Sequence, residues 1–335
     1  MVLFRSVLFS CFVCLSAGAG WNYDDPSTWA ASYPKCGGKK QSPINIVKSD
    51  VQCDVKLAKS LTLTNYNQAG SGDFTVKIKG RTLQVIVASA DASMSLAGIG
   101  KFDLAQFHFH WGSDDSRGSE HKIDGKSYAA ELHFVHYNSK YPSLGEAVNK
   151  SDGLAVLGAL IEKGAENAAF KKFLNSSKYN VTNEDTSAKV KSFALQELLP
   201  ENRTSFYRYN GSLTVPNCDE SVTWTLLAQP IQISNEQLEE LRNLKSHGKP
   251  LVDNYRPVQA LNGRTVLSSF QTGGCGAGIQ IPPATSISPT TSTPRSTSIP
   301  PTTSTHGNST TGSGSSIKGS LFSVLLFTLV LFILL

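Results

Sequence analysis

The sequence predicts a β-dominated mixed α/β fold, a single domain around a large, mostly antiparallel twisted central sheet with short peripheral helices. Three observations point there. Segments that alternate apolar and polar residues recur along the chain, among them "LTLTNY", "FTVKIKG", "TLQVIV" and "SVTWTLLAQPIQI", and a period of two belongs to strands with one face buried. Helical patterns are few and short. The clearest, "SNEQLEELRNL", has Ser234 placed as N-cap and Gln237 three residues on, the spacing of a capping box. No internal repeat or linker interrupts residues 21–275, so they are taken as one domain.

The segments outside that domain have a different character. Residues 1–20, "MVLFRSVLFSCFVCLSAGAG", place one basic residue before an apolar run too short to cross a bilayer, then Ala17-Gly18-Ala19 as a small-residue cleavage site. This is the pattern of a secretory signal. Residues 276–316 are dominated by Ser, Thr and Pro, a composition that cannot bury enough apolar surface to fold, and they predict an extended O-glycosylated stalk. Residues 317–335 hold "SLFSVLLFTLVLFILL", an apolar tail of 16 residues with no basic cluster after it. A spanning helix needs about 20 such residues. With the small residues and polar spacer upstream, the tail predicts a removable signal for a glycosylphosphatidylinositol anchor attached between Asn308 and Ser315, the alternative being a short transmembrane helix. Six sequons, at Asn149, Asn175, Asn180, Asn202, Asn210 and Asn308, agree with the secretory route.

The chain has 335 residues and a formal charge of +5. Only Arg5 and Lys318 fall in the two removable ends, which leaves 29 basic against 26 acidic residues. That balance is too small for an electrostatic nucleic-acid interface, so no nucleic-acid partner is expected. Loss of the signal removes Cys11 and Cys14. Cys36, Cys53, Cys218 and Cys275 remain, candidate disulfide partners in an oxidising compartment with three complete pairings open to them.

Chemistry enters at "QFHFHWG", residues 106–112. On a strand, His108 and His110 share one face while Phe107 and Phe109 take the other. Two histidines so spaced are by themselves more often ordinary sheet side chains than a ligand pair. A second strand-like run, "AAELHFVHYN" (129–138), puts Glu131, His133 and Val135 on one face and His136 on the opposite one. Three neutral imidazoles leave the fourth position of a tetrahedral Zn2+ open, as in a catalytic site. No cysteine lies near either run to close it.

With these runs, "QSPINI" (41), "GSEH" (118), "DGLAVLG" (152), "GSLTVP" (211), "VTWTLL" (222) and "NYRPVQ" (254) closely resemble the alpha-class carbonic anhydrases in order and spacing across most of residues 21–270. Signal, stalk and tail resemble the extracellular, membrane-anchored branch of that family. The resemblance implies one Zn2+ per chain on His108, His110 and His133, with Gln106, the Asn254 carbonyl and Glu131 fixing the three tautomers. It implies attack of zinc-bound hydroxide on CO2 to give bicarbonate and a proton. Thr214 would accept from the hydroxide and donate its single proton to Glu120. Val135, Val156, Leu213, Val222 and Trp224 would form the apolar CO2 wall, with Tyr23 organising cavity water. Cys36 and Cys218 sit where extracellular members carry a disulfide, whereas Cys53 and Cys275 have no such guide and are left to pair with each other or between chains. Expected partners are CO2 and bicarbonate, sulfonamide-type inhibitors, the membrane through the lipid anchor, and a bicarbonate transporter as neighbour. The expected location is the extracellular face of the plasma membrane through the lipid anchor, the alternatives being a short C-terminal transmembrane helix or secretion.

Two positions depart from the family pattern. Where fast members carry "NGH", this chain has "KGR", placing Arg81 at the shuttle position. A guanidinium does not give up its proton, so Arg81 cannot relay one. Val215 stands where the family has a Thr or His able to hydrogen-bond bicarbonate, and weaker product and sulfonamide binding follows, by roughly 1 kcal/mol. The competing expectation is a catalytically weak or inactive stalked binding, adhesion or matrix protein on the same fold. Such members lack one or more of the histidines, all three of which are present here.

Overall fold

The computed structural model describes residues 20–79, 81–87, 91–174, 187–246 and 248–272, all within the unit bounded by Met1 and Gly276. The predicted signal, stalk and anchor segments, Cys275 and the sequons at Asn175, Asn180 and Asn308 lie outside the described residues. Among the described residues no helix is long and apolar enough to cross a membrane.

A 12-stranded sheet dominates. From one edge its order is Ser187–Val190, Phe74–Lys79, Thr82–Ile86, Gly100–Trp111, Ala130–Asn138, Leu154–Lys163, Val222–Ile233, Phe206–Gly211, Leu267–Ser268 and Gln52–Cys53. Ser93–Leu96 also pairs with Gly100–Trp111 and carries Leu61–Thr64 beyond it. Antiparallel pairing prevails, so the sheet is mixed only at Leu154–Lys163 with Val222–Ile233 and at Leu267–Ser268 with Gln52–Cys53. The first parallel pair requires a long crossover, and the chain from Lys163 to Val222 supplies it, building Phe206–Gly211 on the way.

The period of two sorts the two faces. On one, Phe107, Phe109 and Phe134 join Phe74, Val76, Ile78, Leu83 and Val85, all fully buried, in the larger core. Phe107 meets Phe109 edge-on at 5.9 Å, and Phe109 stacks on Phe173 at 5.6 Å. Each such ring contributes roughly 1.5–3 kcal/mol relative to exposure. The other face carries the three histidines beside a second core that includes Val135, Val156, Val222 and Trp224. The principal helix, Asn235–Arg242, begins with the capping box of Ser234 and Gln237. At its end Arg242 donates from Nε to the Gly112 carbonyl and pairs with Asp115, bracing the turn that follows the first histidine strand.

Candidate metal centre

The strands Gly100–Trp111 and Ala130–Asn138 run antiparallel with His108 opposite His133 and His110 opposite Glu131. Residues paired in this way share a face, so the strand register brings the three imidazoles together. Their ring centroids are 5.1 Å (His108–His110), 5.2 Å (His108–His133) and 4.7 Å (His110–His133) apart. One nitrogen from each lies within 4.8 Å of the others.

The outer nitrogens are all engaged. His108 Nδ1 donates to Gln106 Oε1 at 3.0 Å, His110 Nδ1 to the Asn254 carbonyl at 2.8 Å, and His133 Nε2 to Glu131 Oε1 at 2.7 Å. This leaves Nε2 of His108, Nε2 of His110 and Nδ1 of His133 as acceptors facing inward. His110 Nε2 is buried without a hydrogen-bond partner, which suits a cation in front of it. Burial, then the neighbouring imidazoles, holds His108 well below the ordinary histidine value, and the same causes lower His110 to about 3. Burial also lowers His133, against the pull of Glu131. The three rings are therefore neutral at physiological pH, the form that ligates a metal.

Glu131 is fully buried. Burial alone would raise its pKa, but His121 and His133 hold it well below the usual carboxylate range. Its Oε1 accepts from both rings at 2.7 Å, and its Oε2 accepts the His121 N–H at 2.8 Å. His121, Glu131 and His133 also lie close enough to hold an ion, but their own hydrogen bonds occupy that arrangement. Gly158 lies beside Glu131 and leaves room for Leu226. It pairs with His133 across the next strand, and a methyl on it would meet Leu226 at 2.8 Å and Glu131 Oε1 at 3.5 Å.

Glu120 is 1% exposed, although it belongs to a polar loop. Its Oε1 accepts the Arg256 backbone N–H at 2.8 Å, and its Oε2 is 3.4 Å from His110 Nε2. Burial, then the charge of Glu131, pushes its carboxyl well above the usual range, with the Thr214 hydroxyl bond acting the other way. A divalent cation on the histidines would act in the same direction as Thr214. Thr214 itself is buried.

Trp224 stands over His133 at 4.8 Å and over His121 at 4.7 Å, its indole N–H donating to the Ser212 carbonyl at 3.0 Å. Val135, Val156, Val222 and Leu213 pack in the same cluster. Val215 is half-buried in the loop beyond Thr214. Cys36 and Cys218 form a disulfide that ties this loop to the N-terminal arm, where Trp21, Tyr23 and Trp29 pack edge to face. Burial, then Glu120, pushes the Tyr23 hydroxyl well above the usual phenol value. Arg81 takes a left-handed turn conformation, φ 67°, and donates from Nε to the Trp21 carbonyl at 2.9 Å. Cys53 is disulfide-bonded as well. The sequons at Asn149, Asn202 and Asn210 are exposed.

Several residues that organise this site were missed by the sequence reading. His121 of "GSEH" accepts from the Tyr209 hydroxyl at 2.6 Å, and Tyr209 meets Ser42 at 2.9 Å, whose Oγ accepts the Ser212 N–H at 3.0 Å. Arg256 of "NYRPVQ" donates to Gln41 Oε1 and to the Ser42 and Cys36 carbonyls. His121 lies inside "GSEH" and Arg256 inside "NYRPVQ", and the signal in sequence is a histidine and an arginine in those motifs without an assigned role.

Three inward imidazole nitrogens, with acceptors buried behind them and apolar side chains beside them, make a candidate three-histidine metal site. A model of the eukaryotic-type carbonic anhydrases matches residues 24–270. Carbonic anhydrase 12 of Homo sapiens is 38% identical over 266 residues, covering 76% of this chain and 74% of its own. Carbonic anhydrase 6 of Bos taurus is 37% identical over 275 residues (79% and 85%), and carbonic anhydrase 7 of Mus musculus 39% over 272 (75% and 97%). The chain belongs to the eukaryotic-type carbonic anhydrases, and it is an enzyme of that family.

Proposed function

We propose that the chain catalyses the zinc-dependent, reversible hydration of CO2 to bicarbonate and a proton at the outer surface of the cell. The observation that carries this reading is the convergence of three neutral imidazoles on one point, with His110 Nε2 buried and unpartnered. His108, His110 and His133 would hold the zinc, which when bound acidifies a water and supplies a nucleophile at neutral pH, a chemistry for which carbonic anhydrase is the standard illustration. Gln106, the Asn254 carbonyl and Glu131 keep the rings oriented and raise their basicity. With its one proton given to Glu120, whose carboxyl it lowers, the Thr214 oxygen would only accept from the nucleophile, which would aim a lone pair at CO2. Val135, Val156, Leu213, Val222 and Trp224 keep that space apolar, suited to an uncharged substrate, and Val215 offers bicarbonate no hydrogen bond there.

The proton must then leave. His108, His110, His121, His133 and His136 are the described histidines. All are engaged in the site or the core, and none stands at the Arg81 position. Turnover limited by proton exit follows. The disulfide and exposed sequons support the secretory route, and the apolar tail supports a lipid anchor. Zinc analysis of the purified chain together with sulfonamide-sensitive CO2 hydration tests the reading. About one zinc per chain with hydration activity is expected; zinc without activity would refute it. Release from cells by a phospholipase specific for the lipid anchor tests the location.

A further inference from the structure

We propose that Lys77, Lys79 and Arg81 form a cationic strip on the cavity side of the sheet that draws small monoanions, bicarbonate foremost, to the histidine site. The inference rests on the carbonic anhydrase reading above and adds to it a device for the charged reactant.

The strand Phe74–Lys79 has a clean alternation. Phe74, Val76 and Ile78 are fully buried in the larger core, which turns Lys77 and Lys79, both half-buried, to the other face. Register identifies that face: Lys77 pairs with Gln84, Gln84 with His108, and His108 with His133. The Lys77 backbone is thus two strand spacings, roughly 10 Å, from that of His108. Lys79 pairs with Thr82, and Arg81 occupies the tight turn between them, pinned by its bond to the Trp21 carbonyl.

None of the three has an acidic partner among the described residues, in contrast to Lys191, which pairs with Asp73 farther along the sheet edge. The neighbouring Lys189 donates to Thr75 instead. Burial, then repulsion from Lys79, lowers the Lys77 ammonium from its usual value, and the charge of Arg81 is felt at the Tyr23 hydroxyl. Like charges gathered without counter-charge beside a metal centre create a potential that attracts anions and leaves neutral CO2 unaffected.

The test compares the full chain with Lys77→Gln/Lys79→Gln and Lys77→Arg/Lys79→Arg. Thiocyanate inhibition of CO2 hydration and KM for bicarbonate are measured at low and at about 0.2 M ionic strength. A charge about 10 Å away through water changes anion affinity by a factor of about two, so the glutamine pair should weaken thiocyanate inhibition about fourfold at low salt. KM for bicarbonate should rise in parallel, the arginine pair should keep the unmodified values, and the difference should vanish at high salt. A neutral sulfonamide should inhibit all three alike. Equal thiocyanate inhibition in the glutamine and arginine pairs would overturn the strip, as would an equal loss of sulfonamide inhibition, which would show damage other than lost charge. Failure of the unmodified chain to hydrate CO2 would sink the underlying reading instead, and direct thiocyanate binding by calorimetry to the same three chains would still decide the strip.

Discussion

His136 gives the most quantitative prediction, and it lies outside the metal centre. The ring is fully buried on the phenylalanine side of the second histidine strand. It accepts the Tyr66 hydroxyl at Nε2 (2.7 Å) and donates from Nδ1 to the Ala155 carbonyl at 3.2 Å. Both bonds are made by the neutral ring. Burial lowers its pKa from 6.5 to about 4, with the backbone bond opposing weakly. In the unfolded chain the ring titrates near its ordinary value. The stability it confers is therefore fully present above pH 6.5 and is lost as pH falls toward 4, because the unfolded state takes up the proton first. Over that window the loss approaches about 3 kcal/mol, at up to about 1.4 kcal/mol per pH unit. Urea unfolding of the unmodified chain and of His136→Gln, from pH 7 to 4, isolates this share. The variant should start less stable and lose less on acidification, so the two curves converge by about 3 kcal/mol. Parallel curves would show that His136 is not the proton acceptor and that its burial does not set its charge.

Other perturbations address the site and its supports. Glu131→Gln should weaken zinc binding about 10- to 100-fold in chelator competition, because a neutral amide oxygen holds and polarises the His133 ring less strongly than the carboxylate does. Replacing both Cys36 and Cys218 by Ser opens a loop spanning 182 residues; the chain-entropy estimate is about 5 kcal/mol, measured as a lower urea midpoint. Arg81→His should raise maximal CO2 hydration in weak buffer, and added imidazole should accelerate the unmodified chain more than the variant. No response to either would remove proton exit as the limiting step. Arg208 is 5% exposed, donates from Nε to Thr225, and keeps an Nη2 with no partner, and burial lowers its pKa to about 10. Arg208→Met should therefore stabilise the chain by about 1–3 kcal/mol in the same assay.

The strands were legible because their signal is local. A period of two in "FTVKIKG" and "QFHFHWG" states which residues face the core, and Phe74, Val76, Ile78, Phe107 and Phe109 are buried accordingly. Ser234 and Gln237 mark the helix start for the same reason, since a capping box is made within four residues. Register is different. Nothing near His108 says that His133 lies opposite, because that pairing is decided by how all the strands of the sheet bury their faces together. The parallel pairing of Leu154–Lys163 with Val222–Ile233 is likewise a property of the assembled sheet.

The site divides along the same line. The face shared by His108 and His110 follows from spacing, but the acceptor for His110 is the backbone carbonyl of Asn254, 144 residues away, and a carbonyl has no signature in sequence. Asn254 also accepts the Trp111 N–H and donates to the Arg81 carbonyl. One side chain thus links the end of the first histidine strand to the turn that holds Arg81. Glu120, among polar neighbours in "GSEH", has the look of a solvated charge. It is buried because the Arg256 backbone N–H and Thr214 arrive from distant segments to receive it. A buried carboxylate that meets the Arg256 N–H and Thr214 cannot form before those two segments have assembled around it. The contact between Thr214 and Glu120 is therefore a product of the finished fold, and if it orders the proton as proposed, distant changes that loosen the Cys36–Cys218 tether should reach catalysis through it.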